Sequence, residues 1–248
     1  MRNQFPHNQW KLALVAALAT LAVGCTQAEN GDNDPWEPFN RGMYQFNSVL
    51  DGVVLKPITQ IYRGVIPDEG QTMVHHFVEN LQEPISFGNS VLQADPQNSF
   101  VSLWRFLLNS TIGVGGLFDV ASDVGLKGRK TDFGQTLALY GVESGPYLFL
   151  PILGPSNARD GLGRVADAFM HPAMYVDDNG ASIALWSVTV VDTRSDVYDI
   201  IEDIQKTSLD PYVTFRSSYT QRRNNNIKKA SAARDAAWKK AKGGHDCH

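Results

Sequence analysis

The segment from Arg105 to Ser122, RFLLNSTIGVGGLFDVAS, decides how the rest of the chain is read. It is as apolar as a membrane segment, yet Asn109, Thr111, Asp119 and the glycines Gly113, Gly115 and Gly116 are set inside it. Two physical settings tolerate that. Within one membrane leaflet, apolar side chains turn toward acyl chains, and non-helical backbone survives where protein or a wet cavity satisfies it. The glycines then permit a turn and a close backbone approach, while Asn109, Thr111 and Asp119 face the cavity or cap helix ends. In a soluble core the same segment is a buried αα-hairpin, with Asp119 paired to an arginine such as Arg105 or Arg159. The residues alone leave both settings open.

Outward from this segment the chain reads as helix. Asp95-Pro96 supplies an N-cap acceptor followed by a residue whose fixed φ suits the first turn. Phe100, Leu103, Trp104, Leu107 and Leu108 then follow the i, i+3, i+4, i+7, i+8 spacing expected of a buried stripe. Asp34-Pro35 and Asp210-Pro211 repeat the start signal. After the first, Glu37 completes a capping box, and Phe39, Met43, Phe46 and Leu50 recur at helical spacing. Further helices are expected at 68–81, 84–93, 133–140, 156–169 and 181–206. Between Gly141 and Pro155, proline at both ends of an apolar middle predicts an extended connector. No run of alternating strands and no internal repeat is evident, so the expected class is mostly α. Beyond residue 24 no run of eighteen uncharged apolar residues exists that would cross a bilayer as one ordinary helix.

The two ends differ from the body. Arg2 and Lys11 flank an apolar run from Leu12 to Val23, the pattern of a signal peptide over residues 1–24. Leu21-Ala22-Val23-Gly24 before Cys25 is similar to a bacterial lipobox, although a larger aliphatic residue is more usual in place of Ala22. Cys25 is the expected lipid anchor, and residues 25–33 form a lipidated linker. Its acyl chains are the sole covalent group expected; at about 0.8 kcal/mol per buried methylene, two or more anchor a protein almost permanently. Thr26, where an Asp would signal inner-membrane retention, points to the outer membrane. Cys247 is the only other cysteine, so no disulfide is expected. Residues 222–248 carry eight basic against two acidic side chains, leaving 14 against 24 in the rest. Residues 221–248 thus read as a basic, flexible, solvated tail, and residues 34–220 as one domain.

Catalytic motifs fail on inspection. GVGG at 113–116 lacks the lysine of a phosphate loop and the preceding strand of a dinucleotide fingerprint. His75 and His76 are adjacent, which on a helix points them about 100° apart, and HExxH spacing is absent. No serine lies in a G-x-S-x-G elbow. No catalytic residue, metal ligand set, non-covalent cofactor or nucleic-acid partner is expected.

Long and unusual strings carry a family resemblance: DPWEPFNRGMYQFN (34–47), NLQEP (80–84), RFLLNSTIGVGGLFDVAS (105–122), DFGQTLALYGVESGPYLFLPILGPSNARD (132–160) and DPY (210–212). Together they resemble the VacJ, or MlaA, family of outer-membrane lipoproteins. The resemblance implies a ring-like helical protein within the periplasmic leaflet of the outer membrane, with an amphipathic channel and porin trimers as partners. It implies passage of phospholipid mislocalised in the outer leaflet to a periplasmic lipid carrier, with no reaction catalysed, and it favours the membrane setting for 105–122. Gln45, Phe46 and Asn47 on the first helix are expected to help set how the pore opens. A conduit is needed because exposing two chains of about fifteen methylenes to water costs on the order of 24 kcal/mol. The competing readings are a structural lipoprotein that braces porins and a periplasmic lipid hydrolase.

Overall fold

The computed structural model describes residues 34–243, so the expected signal peptide, Cys25, the linker and Cys247 lie outside the described residues. Helix α1 (Glu37–Leu50) passes through a π-helical turn (Asp51–Leu55) into α2 (Lys56–Val65). Helices α3 (Asp68–Leu92) and α4 (Pro96–Thr111) follow and pack along each other. The short α5 (Val120–Asp123) and α6 (Phe133–Leu139) lead to a hairpin of β1 (Tyr147–Leu150) and β2 (Gly154–Asn157). The chain ends with α7 (Ala158–Ala168), a 3-10 turn (Pro172–Tyr175), α8 (Asn179–Asp196), α9 (Tyr198–Thr207) and the long α10 (Pro211–Gly243).

Side-chain caps set many of the helix starts. Asp95, Asp119, Asp132, Asn157 and Asp178 each accept a bond from the amide three residues on, and Asp210 does the same for Val213. Such a cap contributes about 1 kcal/mol. Asp34 departs from the expectation. Its carboxylate is buried and takes bonds from Asn40 at 2.7 Å, from Arg216 at 3.0 Å and from the Tyr212 hydroxyl. The expected capping box is therefore not formed, and Glu37 pairs with Arg41 instead at 2.7 Å.

Four further expectations are corrected. The helices expected at 68–81 and 84–93 are one, because α3 continues through Pro84. That proline offers no N–H to the Asn80 carbonyl, and packing along α4 outweighs the lost bond. The helix expected at 181–206 is interrupted at Val197, where ψ rises to 8°. The 141–155 connector is not strand-free: β1 pairs antiparallel with β2, with Leu150 opposite Gly154. The residues between them are held by Asn47, whose side chain donates to Leu150 O and accepts from Ile152 N, both at 2.8 Å. Asn47→Ala is expected to speed amide exchange at Ile152 by about tenfold, the loss of about one net hydrogen bond.

Finally, the domain limit at residue 220 falls inside α10. Arg223, beyond that limit, pairs with Asp132 at 2.6 Å and Asp160 at 2.7 Å, and Arg234 donates to Leu139 O at 2.9 Å. Over this stretch the basic segment is part of the body.

Packed neighbours close a circuit. α1 lies on β1, β2 on α10, α10 on α6, α6 on α3, α3 on α8 and α8 on α2, which returns through the π turn to α1. A small aromatic cluster closes the joint: Tyr147, Phe149 and Tyr212 are buried, with Met43, Tyr44, Phe215 and Tyr219 against them. Asn40 completes it as an artificial strand partner, donating to Tyr147 O at 3.0 Å and accepting from Phe149 N at 2.8 Å.

Candidate lipid-facing surface and polar interior

Helix α4 shows how the molecule is organised. Its buried residues are Asn98, Ser99, Ser102, Arg105 and Asn109. Its apolar stripe faces outward, with Phe100 58 % and Trp104 41 % exposed and Leu103 and Leu107 beside them. The stripe expected to be buried is thus exposed. The helical period holds, but the face is reversed.

The same inversion runs through the ring. Phe39, Phe46, Val49, Val53, Val54, Ile58, Ile61 and Val65 are all exposed along α1, the π turn and α2. Among the described residues 27 polar or charged side chains are buried against 7 apolar ones. Water-soluble domains do the opposite, and they rarely carry contiguous apolar surface beyond a few hundred Å². Leaving such side chains in water forgoes about 1.5–3 kcal/mol each, whereas acyl chains receive them without that loss. No helix of the described residues is long and apolar enough to cross a membrane.

The 105–122 segment is a polar knot behind that surface. Arg105, 7 % exposed, pairs with Glu83 at 2.6 Å and Asp119 at 3.2 Å, and donates to Ser122 and to Leu126 O. Asn109 donates to Asp119 at 2.9 Å and accepts from the Ala121 amide. Burial pushes the Asp119 carboxyl up, but bonds from Ser122 and Asn109 and the Arg105 charge outweigh it and hold it below the usual range. Glu83 goes the other way, because burial dominates over Arg105. The Asp119–Arg105 pair belongs to the hairpin reading, yet it sits in a helix whose opposite face is apolar and exposed.

The remaining expected site residues divide by place. Thr111 is exposed and bonds its hydroxyl back to Leu107 O. Gly115 and Gly116 take φ of 74° and 100°, and a Cβ on Gly116 would meet Asn80 at 2.7 Å. A Cβ on Gly113 would lie 2.3 Å from Phe118 O. These glycines serve the turn and the close approach. Gln45 and Phe46 are exposed on α1, while Asn47 latches the hairpin, so the 45–47 and 109–119 groups are built into separate clusters.

Several polar groups were not legible from spacing. Asp160, Arg223, Asp132 and Tyr219 meet between α6, α7 and α10. Asp167 accepts from Asn89 at 2.8 Å and from the Phe133 amide. His75 meets Glu79, Asp192 and Asp196 between α3 and α8. The only advance signal was a polar residue recurring at helical spacing, as in Asn80, Glu83, Ser86, Asn89 and Ser90 of α3.

Asp167 makes one prediction. Burial lifts its carboxyl from 3.8 to about 6, against the opposing pull of Asn89 and the Phe133 amide. The folded protein keeps a proton that the unfolded chain releases, so this group's contribution to stability is lost as pH rises from about 4 to about 6. Asp167→Asn is expected to remove that loss. Its unfolding free energy relative to wild type should rise by about 3 kcal/mol between pH 4 and pH 7, as measured by denaturant midpoints.

A family model described as MlaA lipoprotein matches residues 32–226. The chain belongs to the MlaA family. The MlaA match includes Arg223 and its partners Asp132 and Asp160. The intermembrane phospholipid transport system lipoprotein MlaA of Escherichia coli K12 is 36 % identical over 219 residues, 86 % of each chain. An uncharacterised protein of Rickettsia typhi is 40 % identical over 195 residues, 78 % of each chain. A solved structure, described as the structural basis for maintenance of bacterial outer membrane lipid asymmetry, matches with a TM-score of 0.68 at 35 % identity. The match covers 78 % of this chain and 98 % of that one. The mostly helical MlaA fold is therefore shared, with the β1–β2 hairpin as its small strand element here.

Proposed function

We propose that this chain is the outer-membrane lipoprotein of an intermembrane phospholipid transport system and helps maintain lipid asymmetry. The reading rests on the inverted build, an apolar exterior around a buried polar interior, in a member of the MlaA family. The ring lies in the periplasmic leaflet, held there by its apolar belt and by acyl chains on Cys25. Phospholipid mislocalised in the outer leaflet enters with its tails in apolar surroundings and its headgroup hydrated, and passes through an amphipathic channel to a periplasmic carrier. Porin trimers are the neighbours that hold the ring in place. The step is transfer without chemistry, so the protein is not an enzyme. Gln45 and Phe46 tune the opening, and Asn47 acts through the hairpin it latches.

The test uses cells lacking the native copy, with surface phospholipid labelled from outside. Wild type is expected to clear that lipid and Cys25→Ala to fail. If neither changes it, a porin-bracing structural lipoprotein replaces this reading. Release of fatty acid by the purified protein would replace it with hydrolysis.

A further inference from the structure

We propose that His75, Asp192 and Asp196 form a site for one divalent cation of the zinc class. His75 Nδ1 lies 3.2 Å from Asp192 Oδ2 and 3.1 Å from Asp196 Oδ2, and the three ligand atoms lie within 4.8 Å of one another. Tetrahedral coordination with bonds of about 2.0–2.1 Å separates ligand atoms by about 3.3 Å. Both nitrogen–oxygen distances therefore already suit edges of such a tetrahedron. Asp192 and Asp196 stand one turn apart on α8, so one helix face presents both carboxylates to α3. Two carboxylates and a neutral imidazole balance a divalent charge, and the nitrogen ligand favours a transition metal over magnesium or calcium.

Two independent features point the same way. The other ring nitrogen, Nε2, faces Glu79 Oε1 at 3.2 Å, and Glu79 is itself held by Lys130 at 2.8 Å. This is the carboxylate–histidine pairing that orients a metal-bound imidazole from behind. The Tyr62 hydroxyl oxygen is buried without a hydrogen-bond partner. Tyr62 lines a cleft of about 300 Å³ together with Gln71, Thr72, His75 and both aspartates. The cleft leaves room for a water in the fourth position. The cation would clamp α3 to α8, a role independent of the transport reading.

The experiment uses the full-length chain in detergent, with His245, Cys247 and His248 replaced by alanine so that these tail residues add no ligands. Zinc alone is titrated against a competing chelator. One zinc per chain is expected, with affinity at least 100-fold weaker in His75→Ala and 10- to 100-fold weaker in Glu79→Gln. Asp196→Asn, at a half-exposed side chain, guards against misfolding and is expected to lose at least tenfold with an unchanged circular dichroism spectrum. Absence of stoichiometric zinc in the parent overturns the site. So does parent-like affinity in Asp196→Asn and Glu79→Gln.

Discussion

Arg105→Ala is expected to destabilise the protein by about 3–5 kcal/mol, the cost of breaking a buried ion pair from one side. The guanidinium faces Glu83 and Asp119 together and is hydrogen-bonded to Ser122 and Leu126 O. Its loss leaves the buried Glu83 carboxylate and the partly buried Asp119 carboxylate without their cation. Glu83 has an easy escape, since burial already raises its pKa and protonation removes the charge. Asp119 does not, because it also caps α5 and is held by Asn109. Denaturant unfolding in detergent at two pH values measures this: part of the loss should be recovered at mildly acidic pH, where Glu83 takes up a proton. A variant as stable as wild type at neutral pH would show that the knot between α3, α4 and α5 does not hold the fold.

The second large effect concerns the outer face of the same helix. Phe100→Asp with Trp104→Asp is expected to release the unanchored protein from membranes. A carboxylate facing hydrocarbon costs about 2.5–3.5 kcal/mol, whereas an exposed position facing water would respond within about 0.5 kcal/mol. The test compares flotation of liposome-bound protein with and without the two substitutions, in a Cys25→Ala background so that acyl chains do not mask the result. Circular dichroism in detergent should be unchanged, because both side chains lie outside the core. Equal flotation of the two proteins would sink the assignment of this face to lipid.

These two predictions also mark what the sequence made legible. Phe100, Leu103, Trp104 and Leu107 announce a helix and its apolar stripe, because the period depends only on geometry. The same period cannot say whether the stripe meets a protein core or a lipid, and here it faces outward. Local signals worked where the partner is three residues away, as with the Asp95 and Asp210 caps. They failed at Asp34, whose partners Tyr212 and Arg216 lie 178 and 182 residues on. Pro84 split α3 in the sequence reading because proline disfavours helix interiors, and packing against α4 overrides it. The 105–122 segment was legible in kind: its glycines take the expected turn. Asp119 pairs with Arg105 and caps α5, both among the expected alternatives, whereas the bonds of Asn109 to Asp119 and the Ala121 amide depend on the turn that brings α5 back onto α4.

The tie between Asp34 and α10 bears on how the protein is made. The first described residue is bonded to Tyr212 and Arg216, and the ion pairs of Asp132 and Asp160 wait for Arg223. The circuit therefore cannot close until most of the chain has been synthesised. Contacts this distant in sequence form slowly, and for that interval apolar side chains and unpaired carboxylates are exposed together to water. Such a species is prone to aggregate.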